Sequence, residues 1–112
     1  MTVAIDRDST EFLYVGVSGT VPEVSAEVAF VEAGQRPEPE DWNPATIVHD
    51  QHELWADARA SGASGDYYIA VLVGSYGDTG IALAEGDYQM WLRLTDTTER
   101  PVRIAPEAVE IL

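Results

Sequence analysis

A chain of 112 residues, 46% of them apolar, suits one folded domain and is not the composition of a chain disordered throughout. Its 20 acidic residues against 6 basic ones give a net charge of −14, which repels phosphate backbones and argues against a general electrostatic surface for nucleic acid. The absence of cysteine removes disulfides, thiolate zinc sites and cysteine nucleophiles together. No apolar run approaches the ~20 residues of a membrane-spanning helix. The opening "MTVAIDRDST" lacks the basic region and apolar stretch of a signal peptide. The expected partners are therefore neither nucleic acid nor membrane. All the bases are arginine, a usage that fits a GC-rich genome.

Taken in chain order, "EFLYVGVS" (Glu11 to Ser18) predicts a strand with apolar side chains on both faces. The turn residues of "GTVPE" follow. "VSAEVAFV" (Val24 to Val31) alternates, with Val24, Ala26, Val28 and Phe30 on one side and Ser25 and Glu27 on the other. These two strands are expected to be antiparallel neighbours. From Glu32 to Asn43 the alternation stops: two prolines and four acids make an exposed, stiff loop, with Trp42 as its anchor on the body. "PATIV" (Pro44 to Val48) reads as a short edge strand, because proline is tolerated at a strand start.

"HDQHELWADARA" (His49 to Ala60) reads as loop with one or two helical turns, and "SGASGD" as a connector. "YYIAVLVG" (Tyr67 to Gly74) is continuously apolar, β-branched and aromatic, the signature of a strand inside a sheet. "SYGDTG" is a turn, and "IALAEG" leads into "GDYQMWLRLT". There Tyr88, Met90, Leu92 and Leu94 share one face and Gln89, Trp91, Arg93 and Thr95 the other. "TTERP" makes a hairpin connection, and "VRIAPEAVEIL" is a last strand broken near Pro106, with Val109 and Ile111 on one side and Glu110 and Leu112 on the other. Six or seven short strands without a helix of ~10 residues predict an all-β fold, an immunoglobulin-like antiparallel β-sandwich in a single domain over residues 1–112, with a small barrel as the variant architecture.

The residues offer little chemistry. His49, His52 and Glu53 are possible metal ligands, but positions three apart on a strand face opposite sides, so a grip needs a helix or a purpose-built loop. Carboxylate pairs such as Glu38/Glu40 or Asp41/Asp57 lie in hydrophilic segments, whereas an acid–base pair needs one member partly buried to separate the two pKa values. A calcium-loop motif is missing, although Asp78 and Asp96 are a possible calcium pair. Ser61 and Ser64 lack the Gly-x-Ser-x-Gly elbow, and "GSYGDTG" lacks the lysine and helix of a phosphate loop. An enzyme is the poorest reading, and no cofactor is expected. Tyr88, opening a strand after a short acidic glycine turn at Gly86, suits the corner tyrosine that bonds back to the chain upstream in immunoglobulin-like sandwiches; a plain core aromatic is the alternative.

Four segments carry a resemblance to a known family: "DWNPATIV", "YYIAVLVG", "LAEGDYQMWLRLTDTTERPVR" and the closing "VEIL". They resemble the LtfC-type β-sandwich proteins of actinobacteriophages, with Gly86, Tyr88, Trp91, Arg93, Thr95, Asp96, Glu99, Pro101 and Val102 in the places of that family's L-x-x-G-x-Y-x-x-W-x-R-x-T-D strand and its P-E-x-P-V turn. Thr98 departs from it, standing where the family often has proline. The resemblance covers residues 41–112. It implies a non-enzymatic virion structural protein, assembled in the host cytoplasm and attached in multiple copies to phage capsid or tail proteins, as a head decoration or tail accessory module. Tyr88, Gly86, Asp96 and Pro101 would be structural.

Trp91 beside Arg93 on the polar side of its strand admits three readings. Trp91 is a satellite core residue under the Glu32–Asp66 segment; or the face contacts a partner protein, where Trp and Arg dominate binding; or the indole stacks on a sugar ring, making the domain a carbohydrate-binding module for host-surface contact. Arg93 is expected to lie over Trp91 in each. Trp42, Trp55, Trp91 and Arg93 are the candidate interface residues.

Overall fold

The computed structural model describes residues 2–74 and 80–112. Among the described residues seven strands form in chain order: β1 (Thr2–Ile5), β2 (Glu11–Val17), β3 (Ser25–Val31), β4 (Asn43–Val48), β5 (Tyr67–Val73), β6 (Gly86–Thr95) and β7 (Val102–Ile111). One short helix, α1 (Trp55–Ala60), and a 3₁₀ turn at Pro39–Asp41 are the helical segments among the described residues. The expected turn at Ser75 to Thr79 lies outside the described residues, and so does Asp78 of the possible calcium pair.

The strands make one sheet in the order β1-β7-β6-β3-β4-β5-β2. It is mixed and curls into a half-barrel, so the fold is all-β, as the alternation predicts. The named strands pair antiparallel except at one end, where β1 runs parallel to β7 in the register Val3↔Val109 and Ile5↔Ile111; a lone parallel bridge also joins Val73 to Ile81. The curl closes over a core drawn from every strand but β4: Ile5, Leu13, Val15, Val28, Ile69, Met90, Leu92, Val109 and Ile111 are all buried in one cluster, and Ala45 and Ile47 of β4 pack against it partly buried. Each such side chain contributes ~1.5–3 kcal/mol by leaving water, which makes this cluster the main source of stability.

Two expectations about pairing need correction. β2 and β3 are not neighbours: β2 pairs with β5, while β3 pairs with β6 and β4. The "GTVPE" turn does not close a hairpin but carries the chain from one wall of the half-barrel to the other. Asp66 holds its start, accepting a hydrogen bond from the Gly19 amide at 2.7 Å. The second correction concerns β4. It lies inside the sheet order, yet each half has a partner on one side only: Asn43–Ala45 on β3 and Thr46–Val48 on β5. One strand thus hands the sheet from wall to wall. Pro44 is tolerated because its half of the strand is locally an edge.

Smaller differences follow from the same geometry. Val24 precedes β3, where its amide donates to the Thr95 carbonyl at the strand entrance, and its side chain is exposed rather than on the core face. The break near Pro106 is a bulge within a continuous strand: Gln89 faces Ala108 and Trp91 faces Ile104, so residues 105–107 lie opposite Met90 alone. At the far end of β2, Gly16 is required by a close approach. A Cβ there would sit 2.1 Å from the Ser64 carbonyl oxygen, where the connector before β5 crosses the strand.

Candidate functional site

β6 displays its two faces as the alternation predicts. Met90, Leu92 and Leu94 enter the core. Gln89, Trp91 and Arg93 stand on the outer face, opposite Val31, Ala29 and Glu27 of β3. Arg93 and Glu27 are direct cross-strand partners and form a bidentate pair, Nε donating to Oε1 at 2.9 Å and Nη2 to Oε2 at 2.8 Å. Arg100, from the hairpin beyond β6, approaches the same carboxylate at 3.6 Å. The hydrogen bonds from Arg93 outweigh the effect of burial and hold the Glu27 carboxyl below its ordinary pKa of 4.5.

Arg93 does not lie over Trp91. Its guanidinium sits 4.5 Å from the centre of the Trp42 ring, while Arg36 covers Trp91 at 5.3 Å. The reason is geometric. Residues two apart on a strand are separated by about 6.7 Å and stand side by side, so Arg93 reaches across to Glu27 rather than back to Trp91. The loop 32–42 then folds onto this face, bringing one arginine down onto a tryptophan and one tryptophan onto an arginine. Its own shape is fixed by Pro39 and by Asp41, whose carboxylate accepts the Glu38 amide at 2.8 Å. Trp42 is the loop anchor that the sequence suggests.

Trp91 retains 8% of its exposure, and its indole Nε1 is buried without a hydrogen-bond partner among the described residues. Of the three readings, the satellite core residue fits this placement. A sugar-stacking platform does not: Trp91 is buried and Trp42 is half-buried beneath a guanidinium. Beside Trp91 and Arg93, the cross-strand residues of β7 remain open to solvent: Ile104, opposite Trp91, is 57% exposed, and Val102, opposite Arg93, is 43% exposed. Sequence reasoning missed both. The signal was present in parity: an alternation that points Val109 and Ile111 inward points even-numbered Ile104 and Val102 outward.

Trp55 belongs elsewhere. It opens α1 on the outer face of the other wall, packing edge-on against Tyr68 of β5 at 5.1 Å. Ala58, Val48, Tyr68 and Ala70 form a second small core there, with Tyr14 and Leu54 around it. Tyr14 donates its hydroxyl to Asp57, and burial, then that bond, pushes its pKa up to about 12. The histidines follow: each Nδ1 accepts a backbone amide two residues on, from Gln51 to His49 and from Leu54 to His52. The rings meet edge to face at 6.1 Å, and no group of three or more metal-ligating side chains gathers among the described residues.

The four structural candidates lie at the two ends of β6. The Tyr88 hydroxyl donates to the Ala84 carbonyl at 2.7 Å, the corner bond expected of it. Gly86, between the two, has φ +148°, a conformation that L-residues rarely adopt. The Asp96 amide donates to Glu99, its carboxylate caps the Thr97 amide, and the Pro101 carbonyl accepts from Leu94, which together close the β6–β7 hairpin. No helix among the described residues is long and apolar enough to cross a membrane. Comparison with family models, curated proteins and solved structures finds no match for this chain.

Proposed function

We propose that the chain is a non-enzymatic structural protein of a phage particle, attached in several copies to capsid or tail proteins as a head decoration or tail accessory module. The observation that carries this reading is the outer face of β6 and β7. There two large apolar side chains, Ile104 and Val102, stand exposed beside a framework in which Arg93 packs on Trp42 and Arg36 on Trp91. An apolar strip on a pre-ordered sheet, edged by arginine, has the anatomy of a protein contact surface. The resemblance of residues 41–112 to the actinobacteriophage β-sandwich proteins supports the virion context. The finer architecture belongs to the same proposal: the half-barrel is an immunoglobulin-like sandwich, supported by the two walls joined through β4 and by the Tyr88 corner.

The framework is built, so Trp91 and Arg93 hold the face while Ile104 and Val102 make the contact. With a net charge of −14, a basic patch on the partner adds steering and salt dependence. The test is Ile104→Glu, with the melting temperature checked against the parent, in particles assembled with the variant. The amount bound is expected to fall at least tenfold. A folded variant that remains at the parent's level overturns the assignment of this face, and specific binding on a glycan array would favour the carbohydrate-binding alternative.

A further inference from the structure

The sheet order ends in β1 on one side and β2 on the other, and the curl brings both ends to one groove. Val3 of β1 lines one wall, Glu11 to Tyr14 of β2 the other, and Ser61 to Ala63 the rim, around about 210 Å³ of space. That is below the ~300–1,000 Å³ of a small-molecule pocket, but it runs along a strand edge. β2 pairs with β5 on one side; among the described residues no strand pairs with its other side. Alternate N–H and C=O groups along that edge therefore face solvent, ready for another strand.

Natural sheets blunt such edges with proline, lysine or other charges. β2 carries a single charge, Glu11 at its first residue, and "FLYVGV" (Phe12 to Val17) carries none of these. We infer that this edge is a receptor for an extended segment of a different polypeptide, which adds to β2 as a strand and fills the groove toward β1. A strand placed there finds apolar neighbours on both faces. Its inward side chains meet Val3 and Leu13, which already touch the core, and its outward ones meet Phe12, 40% exposed, and Tyr14, which stacks on Phe12 at 6.0 Å. The charge of the occupant follows from its surroundings. Glu11 lies in the groove wall, Asp57 sits on the Tyr14 hydroxyl, and the whole surface is acidic. The segment is thus proline-free, apolar at alternate positions and flanked by Arg or Lys. The strand edge is that of β2, whereas Ile104 stands on β7 and does not line the groove, so the inference stands apart from the proposed particle contact and can fail without it.

The experiment pans a displayed library of random ten-residue peptides against the full chain, then measures synthetic copies of the enriched sequences by titration and amide hydrogen exchange. Expected are alternating apolar peptides with basic flanks, protection of amides within 11–17 on binding, and at least tenfold weaker binding to Phe12→Glu. Alternate N-methylation of the peptide backbone should abolish binding while leaving its side chains unchanged. The inference is overturned if no such peptide is enriched, if protection falls on β7 instead, or if N-methylated peptides bind equally well. It is also overturned if sedimentation shows the groove filled by a second copy of this chain.

Discussion

The ion pair between Glu27 and Arg93 can be weighed directly, because it joins two cross-strand residues of fixed register. Two charge-assisted hydrogen bonds are worth ~1.5–3 kcal/mol each in favourable settings. Here the side chains keep 18% and 23% of their exposure, so solvent screening brings the coupling down to ~1–2 kcal/mol in total. The stacking of Arg93 on Trp42 adds ~0.5–1 kcal/mol. Arg93→Ala should therefore lower stability by ~2–3 kcal/mol, a drop in the urea midpoint of about 1–2 M for a domain of this size. A double-mutant cycle with Arg93→Met and Glu27→Gln, followed by tryptophan fluorescence at pH 7, isolates the pair. The pH arm has a definite sign. Because the folded state depresses the Glu27 pKa, the pair's stabilisation is complete above the ordinary value of 4.5 and is lost as pH falls through the folded value below it. Glu27→Gln should flatten that acid limb. Coupling below ~0.3 kcal/mol at pH 7, or an unchanged acid limb, would refute the reasoning.

Three further outcomes follow from particular contacts. Trp91→Ala should destabilise by ~3–5 kcal/mol in thermal or urea unfolding, as expected for a large buried aromatic, and a loss under 1 kcal/mol would mean that the indole is not packed as described. Tyr88→Phe should cost ~1 kcal/mol through the lost bond to Ala84, measurable as a shift in urea midpoint without a change in slope. Stability should fall as pH rises from 10 toward 12 in urea melts, because the folded state raises the Tyr14 pKa to about 12 and its stabilisation is present below 10 and lost on ionisation; Tyr14→Phe should reduce that loss.

Much of the fold was legible because period-2 alternation marks a half-buried strand wherever one face is wet. The cores of β3 and β6 could be read that way residue by residue, and so could the continuous apolar run of β5. Pairing was not legible, since "GTVPE" looks like a hairpin turn whether it closes one or carries the chain to another wall. Only long-range partners decide that, here Leu72 for Phe12 and Thr95 for Ser25. β1 escaped because four residues give too little alternation, and its parallel pairing with β7 depends on the chain's other end. At the candidate site, the outward direction of Trp91 and Arg93 was readable, but their roofs were not. Arg36 and Trp42 reach them from a loop without periodicity, and that loop decides that Trp91 is buried.

Attachment to a phage particle in several copies is the claim on which the proposed function stands. Quantitative mass spectrometry of purified particles of the phage to which the proposal assigns the chain measures it most directly. Symmetric assembly predicts a fixed multiple of copies per particle, hundreds on a head lattice or tail tube and a handful to a few dozen at the neck, baseplate or fibres. A chain expressed during infection but missing from the purified particles would contradict the account.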